Sequence, residues 1–200
     1  MRNEIPFIGL TGAVAAGKSA ALAAFERLGA ATLSSDAVVH ELLAEDRTRD
    51  LLVERWGPEV APDGVIDRGK VGSIVFADPE ELAWLERTIH PLVRERIMAW
   101  RANLPADTRV AVLEVPLLFE TGMEGLFDAT VVVTAPDGLR VERAGARGTS
   151  DLEGRSARQL SQEEKAARAT YVISNEGSLE DLEAAIAAIL PEIVGARERA

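Results

Sequence analysis

Gly12-Ala13-Val14-Ala15-Ala16-Gly17-Lys18-Ser19 fills every fixed position of the pattern G-x-x-x-x-G-K-[ST], and its surroundings decide the fold. The apolar run Ile5-Pro6-Phe7-Ile8-Gly9-Leu10 leads into it, and the helix-forming stretch Ala20-Ala21-Leu22-Ala23-Ala24-Phe25 leads away. A strand thus delivers a loop whose backbone N–H groups surround a polyphosphate at a helix N-terminus. Gly12 and Gly17 permit backbone angles, and a closeness of approach, that side chains hinder. Lys18 is expected to reach the β- and γ-phosphate oxygens, and the Ser19 hydroxyl to hold Mg²⁺. A Gly-rich turn that binds nothing is the competing reading, but such a turn needs neither the lysine nor the serine. The implied ligand is a nucleoside triphosphate.

Working outward, 200 residues suit one domain with a substantial core. The net charge of −11 argues against a protein that tracks along nucleic acid. A small anionic ligand needs only a local positive pocket. Cysteine is absent, which excludes disulfides, thiolate catalysis and cysteine–metal sites. The first apolar run is too short for a signal sequence, and no run is long enough for a membrane span. A cytoplasmic protein with no membrane contact is the expectation. From Arg140 to Arg168 the charge reverses locally, through Arg140, Arg143, Arg147, Arg155, Arg158, Lys165 and Arg168. That run is either a solvated helical face or a basic clamp over phosphates, and the triphosphate loop favours the clamp.

Short apolar, β-branched runs at Ile5–Leu10, Ala31–Leu33, Val110–Val115, Ala129–Val133 and Tyr171–Ile173 predict five strands buried on both faces. Helical patterns separate them. The alternation predicts an α/β, three-layer fold of the P-loop NTPase type: a five-stranded parallel sheet with helices on both faces. Between the second and third strands the chain carries a long helical stretch, read as an insertion over about 37–104 that covers the carboxyl edge of the sheet. Pro91 should kink its long helix near His90. A second excursion, about 140–165, reads as a mobile lid. The last helix starts near Ser178, a good N-cap.

Three further polar residues stand where open α/β sheets place their sites. Asp36 follows the second strand. It is either a base for a substrate hydroxyl or a helix N-cap, and the residues alone leave both open. Glu114, late in the third strand, either assists Mg²⁺ or pairs with a helix dipole. Asn175 contacts adenine, ties the phosphate loop to a neighbouring turn, or simply makes an Asn-Glu-Gly turn. His40 and His90 lack metal-ligand spacing. No guanine-reading N-K-x-D occurs, and the third strand ends in a single acid on a short chain. A small-molecule kinase fits better than a GTPase switch or a mechanical ATPase.

Ordered elements sharpen this. GAVAAGKS is followed by Ser34-Ser35-Asp36, Asp67-Arg68, Val75-Phe76-Ala77-Asp78-Pro79, Ile89-His90-Pro91-Leu92-Val93, Val115-Pro116-Leu117-Leu118-Phe119-Glu120 and Tyr171-Val172-Ile173-Ser174-Asn175-Glu176-Gly177-Ser178. From about Phe7 to Ile189 the chain resembles the dephospho-CoA kinase family, which moves the γ-phosphate of ATP to the ribose 3′-hydroxyl of dephospho-CoA. The resemblance implies a catalytic base at Asp36 and an ATP segment of Ala15, Ala16, Gly17, Lys18, Ser19 and Ala20. It implies a lid arginine at Arg147 assisted by Arg155, and acceptor contacts at Arg68, Phe76 and His90 in a CoA-binding insertion. Asn175 falls at the adenine end. The implied partners are small molecules, ATP with Mg²⁺ and dephospho-CoA, bound by a monomer or small homo-oligomer.

The chain departs from the family's G-G-I-G-S-G-K-S-T at Ala13, Ala15 and Ala20. Alanine at 13 or 15 is expected to be incompatible with any φ > 0 those positions require. The family's first carboxylate in D-A-D is Ser34 here. A kinase of another acceptor, such as a nucleoside monophosphate or shikimate, and a nucleotide-binding regulator that has lost catalysis are the rival readings.

Overall fold

The computed structural model describes residues 5–146 and 159–197. At its centre lies β1 (Phe7–Gly12), buried along its whole length, which is why its sequence reads as a near-continuous apolar run. Around it run β2 (Ala31–Ser34), β3 (Ala111–Glu114), β4 (Ala129–Thr134) and β5 (Tyr171–Ser174). All are parallel, in the order β2-β3-β1-β4-β5. The five strands are those the apolar runs predict. The first starts and ends two residues later than expected, because Gly12 still pairs with Val133 on the neighbouring strand.

The chain forms two compact units. One holds the sheet, built from the stretch up to Ser34 and from Leu104 onward, with α1 (Lys18–Arg27), α6 (Asp137–Ala146), α7 (Gln162–Arg168) and α8 (Leu179–Arg197). On one face Ile8, Leu10, Val112, Val131 and Val133 pack with Phe25 of α1 and with Leu182, Ile186 and Ile193 of α8. On the other, Gly9 is required: a Cβ there would lie 2.6 Å from Leu118 and 2.7 Å from Phe127. Phe127 in turn stacks at 4.8 Å on Phe7, the next residue on that face of the strand. Ser178 and Asp181 cap α8 reciprocally, and the Ser178 N–H and hydroxyl, both donating to the Asp181 carboxylate, hold it below the usual carboxylate range.

Two clasps tie α7 to the sheet. The Gln162 side chain accepts from the Ala135 N–H at 2.9 Å and donates to the Ala135 carbonyl at 3.0 Å. Lys165, fully buried, donates to the Pro116 carbonyl at 2.7 Å and pairs with Glu120 at 3.0 Å. Burial holds the Lys165 ammonium below its ordinary pKa, with Glu120 opposing that shift.

The other unit, Ser35–Asn103, is helical. It comprises α2 (Ser35–Ala44), α3 (Asp46–Trp56), α4 (Arg68–Ala77) and α5 (Pro79–Ala102) around Leu52, Val60, Val71 and Val75. Asp67 caps α4 by accepting from the N–H groups of Gly69 and Lys70, and Asp78 caps α5 by accepting from Glu80. α5 continues as one helix through Pro91, so the proline expected to mark a kink near His90 does not end it. Its ring removes a single N–H donor, the one that would serve the Arg87 carbonyl.

Candidate active site

The phosphate loop leaves the carboxyl end of the central strand and enters α1 at Lys18. Gly12 closes against the neighbouring strand, where a Cβ would sit 2.4 Å from the Val133 carbonyl oxygen. Gly17 is left-handed (φ 103°), and α1 has neither a side-chain N-cap bond nor an acid in its first turn. α4, α5 and α7 are all capped by their own side chains. An uncapped N-terminus beside a glycine cradle leaves its N–H donors to an anion.

Side chains hold the loop's carbonyls. The Lys18 ammonium donates to Gly12 at 3.0 Å and to Ala13 at 3.1 Å. Arg140 Nε donates to Val14 at 3.0 Å, and Asn175 Nδ2 to Ala16 at 2.9 Å. Arg143 Nη1 donates to the Asn175 carbonyl at 3.2 Å. Gly12 through Ala20 and Asn175 are therefore one constellation. The buried Asn175 side chain ties the phosphate loop to the turn after β5, which is one of its three readings.

Ala15 corrects an expectation. Its φ is 61°, so the position does take a left-handed backbone, and alanine adopts it. The cost is about 1–2 kcal/mol, sustained only where neighbours over-determine the conformation. Ala13 and Ala20 are not left-handed.

Glu114, 7 % exposed, ends β3 level with Leu10 of β1 and Ser34 of β2, two residues short of the loop's first glycine. Ser19 lies in the first turn of α1. Asp36 is exposed and sits inside the first turn of α2, so it is not the cap residue.

The described members of the basic stretch have these partners. Arg140 and Arg143 brace main-chain carbonyls, Lys165 pairs with Glu120, and Arg168 pairs with Glu124 over the Phe119 ring. Arg147 and Arg155 lie outside the described residues, as does the middle of the stretch read as a lid, 147–158.

In the helical unit, the Arg68 guanidinium lies 3.0 Å from His40 Nδ1 at the start of α4. Phe76 on α4 is 79 % exposed. His90 on α5 lines an open groove with Arg87, Pro91, Arg94 and Met98. No hydrogen bond, ion pair or ring contact joins Arg68, Phe76 and His90 to one another among the described residues.

The brace of Arg140 and Arg143 escapes a motif search. Two arginines three apart on a helix after a strand were the available signal, masked by the larger run of positive charge.

Comparison with known proteins adds the family. The model of the dephospho-CoA kinase family matches residues 6–181. The dephospho-CoA kinase of Thermus thermophilus is 40 % identical over 191 residues, covering 94 % of this chain and 92 % of its own. The crystal structure of TT1252 from Thermus thermophilus superposes with a TM-score of 0.82 at 39 % identity, over 94 % of this chain and 97 % of that one. The dephospho-CoA kinase from Campylobacter jejuni gives 0.66 at 28 %, over 95 % and 98 %. With a family model spanning most of the chain and relatives this similar over nearly their whole length, the chain belongs to the dephospho-CoA kinase family.

Proposed function

We infer that this chain phosphorylates dephospho-CoA with ATP, giving CoA and ADP in coenzyme A biosynthesis. The observation that carries the reading is the braced, uncapped loop at residues 12–20 in a chain of this family. In the reaction the acceptor's ribose 3′-oxygen attacks the γ-phosphorus, and the bond to the β,γ-bridging oxygen breaks. Asp36 accepts the hydroxyl proton as that oxygen attacks. Lys18 neutralises charge on the β- and γ-phosphate oxygens.

The donor set suits Mg²⁺, which binds through one or two protein oxygens plus phosphates and water. The Ser19 hydroxyl would hold it directly and the Glu114 carboxylate would assist. A Mg²⁺ held there would supply charge neutralisation at the phosphates. Arg147 and Arg155 are assigned to the transferring phosphoryl group by family likeness, and Arg68, Phe76 and His90 to the acceptor. Arg68 and the Phe76 ring are both exposed, where an anionic nucleotide could reach them from solvent.

A coupled ADP-release assay tests the assignment with dephospho-CoA, adenosine, AMP and shikimate as acceptors. Release with dephospho-CoA alone is expected. Equal release with AMP or shikimate, or none with any acceptor, would overturn it.

A further inference from the structure

The left-handed Ala15 asks what holds it, because an alanine there relaxes to negative φ unless it is prevented. Rotation of the Val14–Ala15 peptide is the simplest escape, since it changes φ of Ala15 while leaving the flanking chain in place. The oxygen of that peptide is the Val14 carbonyl, to which Arg140 Nε donates at 3.0 Å. Arg140 is itself fixed, with Nη1 on Asp137 at 2.8 Å one turn earlier in α6. On the far side of Ala15, the Ala16 carbonyl is held by Asn175, and the Ala16 N–H bonds the Ala13 carbonyl at 3.2 Å. The strained residue lies between two pinned peptides.

A trans peptide directs its N–H opposite to its C=O. Holding the Val14 carbonyl on the Arg140 side therefore turns the Ala15 N–H to the other side of the peptide. A bond from a charged guanidinium is stronger than a neutral one and suits that task.

We propose that Arg140 is a positioning residue for ATP: by gripping the Val14 carbonyl it keeps Ala15 left-handed and its N–H aimed at the phosphates. This rests on the reading of residues 12–20 as the ATP loop. Arg140 touches neither the acceptor nor the transferred phosphoryl group in this scheme. It offsets the methyl group that Ala15 carries where the family has glycine.

The test is a double-mutant cycle of Arg140→Ala and Ala15→Gly, read as the Kd for Mg·ATP by calorimetry. A glycine at 15 needs no restraint, so the two changes must be coupled. Arg140→Ala should weaken ATP roughly 5- to 30-fold, the equivalent of one left-handed alanine. Ala15→Gly alone should stay within about twofold, and the double variant should regain most of the loss. A merely structural arginine would not be rescued by a glycine that its side chain does not touch.

Full loss retained in the double variant, or no loss in Arg140→Ala, would overturn the proposal. If Arg140→Ala fails to fold by circular dichroism, Arg140→Gln, which keeps the stem and loses the charge, enters the same cycle with the same two criteria. A wild-type protein that binds no ATP would overturn the underlying reading of the loop, a result distinct from an additive cycle.

Discussion

Asn175 and Gly17 are interlocked: the asparagine amide crosses the glycine so closely that a Cβ on Gly17 would lie 1.9 Å from Nδ2. The same amide nitrogen bonds the Ala16 carbonyl, so the loop is tied at the point where it turns into α1. Gly17→Ala must displace a buried side chain while also forcing an alanine to φ 103°. ATP binding measured by calorimetry is expected to fall by more than about 100-fold, through strain and an unmet buried carbonyl together. Asn175→Ala, which removes only the tie, should cost about 1–3 kcal/mol of loop stability. Equal ATP affinities for Gly17→Ala and the wild type would show that the loop opens freely.

Asp36 separates catalysis from folding. It is exposed in the first turn of α2, where a carboxylate contributes to helix stability only about 0.3–1 kcal/mol through the dipole. A positioned base contributes about 10²–10⁴ in rate. Asp36→Asn should therefore lower kcat within that range with a thermal midpoint close to wild type. A variant with unchanged kcat would leave Asp36 as a helix-end charge and nothing more.

Glu114 is expected to act on metal use. On the proposed assignment of Ser19 as direct ligand with the carboxylate in support, Glu114→Gln should raise the Mg²⁺ concentration for half-maximal rate about 10- to 100-fold, the usual effect of losing a supporting group. KM for dephospho-CoA should stay near wild type. The check is a Mg²⁺ titration of the coupled assay at saturating ATP.

Lys165 and Glu120 make a stability prediction with a definite pH sign. Removing one partner from a buried pair costs about 3–5 kcal/mol, so Lys165→Met should destabilise strongly in urea titrations. Lys165→Met with Glu120→Leu should recover much of that loss. The folded-state pKa of Lys165 is lowered, because burial outweighs Glu120. Between that lowered value and the ordinary lysine value of about 10.4 the unfolded chain binds more protons. Stability contributed by this group therefore rises with pH across that window. Urea midpoints at pH 8 and pH 10, compared with Lys165→Met, should show the wild type gaining relative to the variant. The opposite trend would mean that Glu120, not burial, dominates.

What the sequence yields divides along a physical line. Strands buried on both faces write themselves as apolar runs, so all five are readable to within about two residues. The loop from Gly12 to Ser19 is readable because its chemistry is local. Arg140 is not, because its partner is 126 residues away and only the sheet brings them together. Lys165 and Arg168 look like members of a phosphate clamp in the sequence, yet each pairs with an acid from the segment between β3 and β4. Composition shows how many charges a segment has, not which are already matched. Ala15 shows a further limit: a residue's intrinsic preference does not reveal the neighbours that override it.

Gln162 imitates a missing strand. Its amide meets both the N–H and the C=O of Ala135, as a ladder neighbour would, just beyond the end of β4. Only a side chain that offers donor and acceptor side by side can do this, which singles out a carboxamide of that reach. Glutamate has almost the same shape but presents two acceptors, and would set an oxygen against the Ala135 carbonyl. A change of one atom in the side chain would thus unpick the join between α7 and the backbone that follows β4.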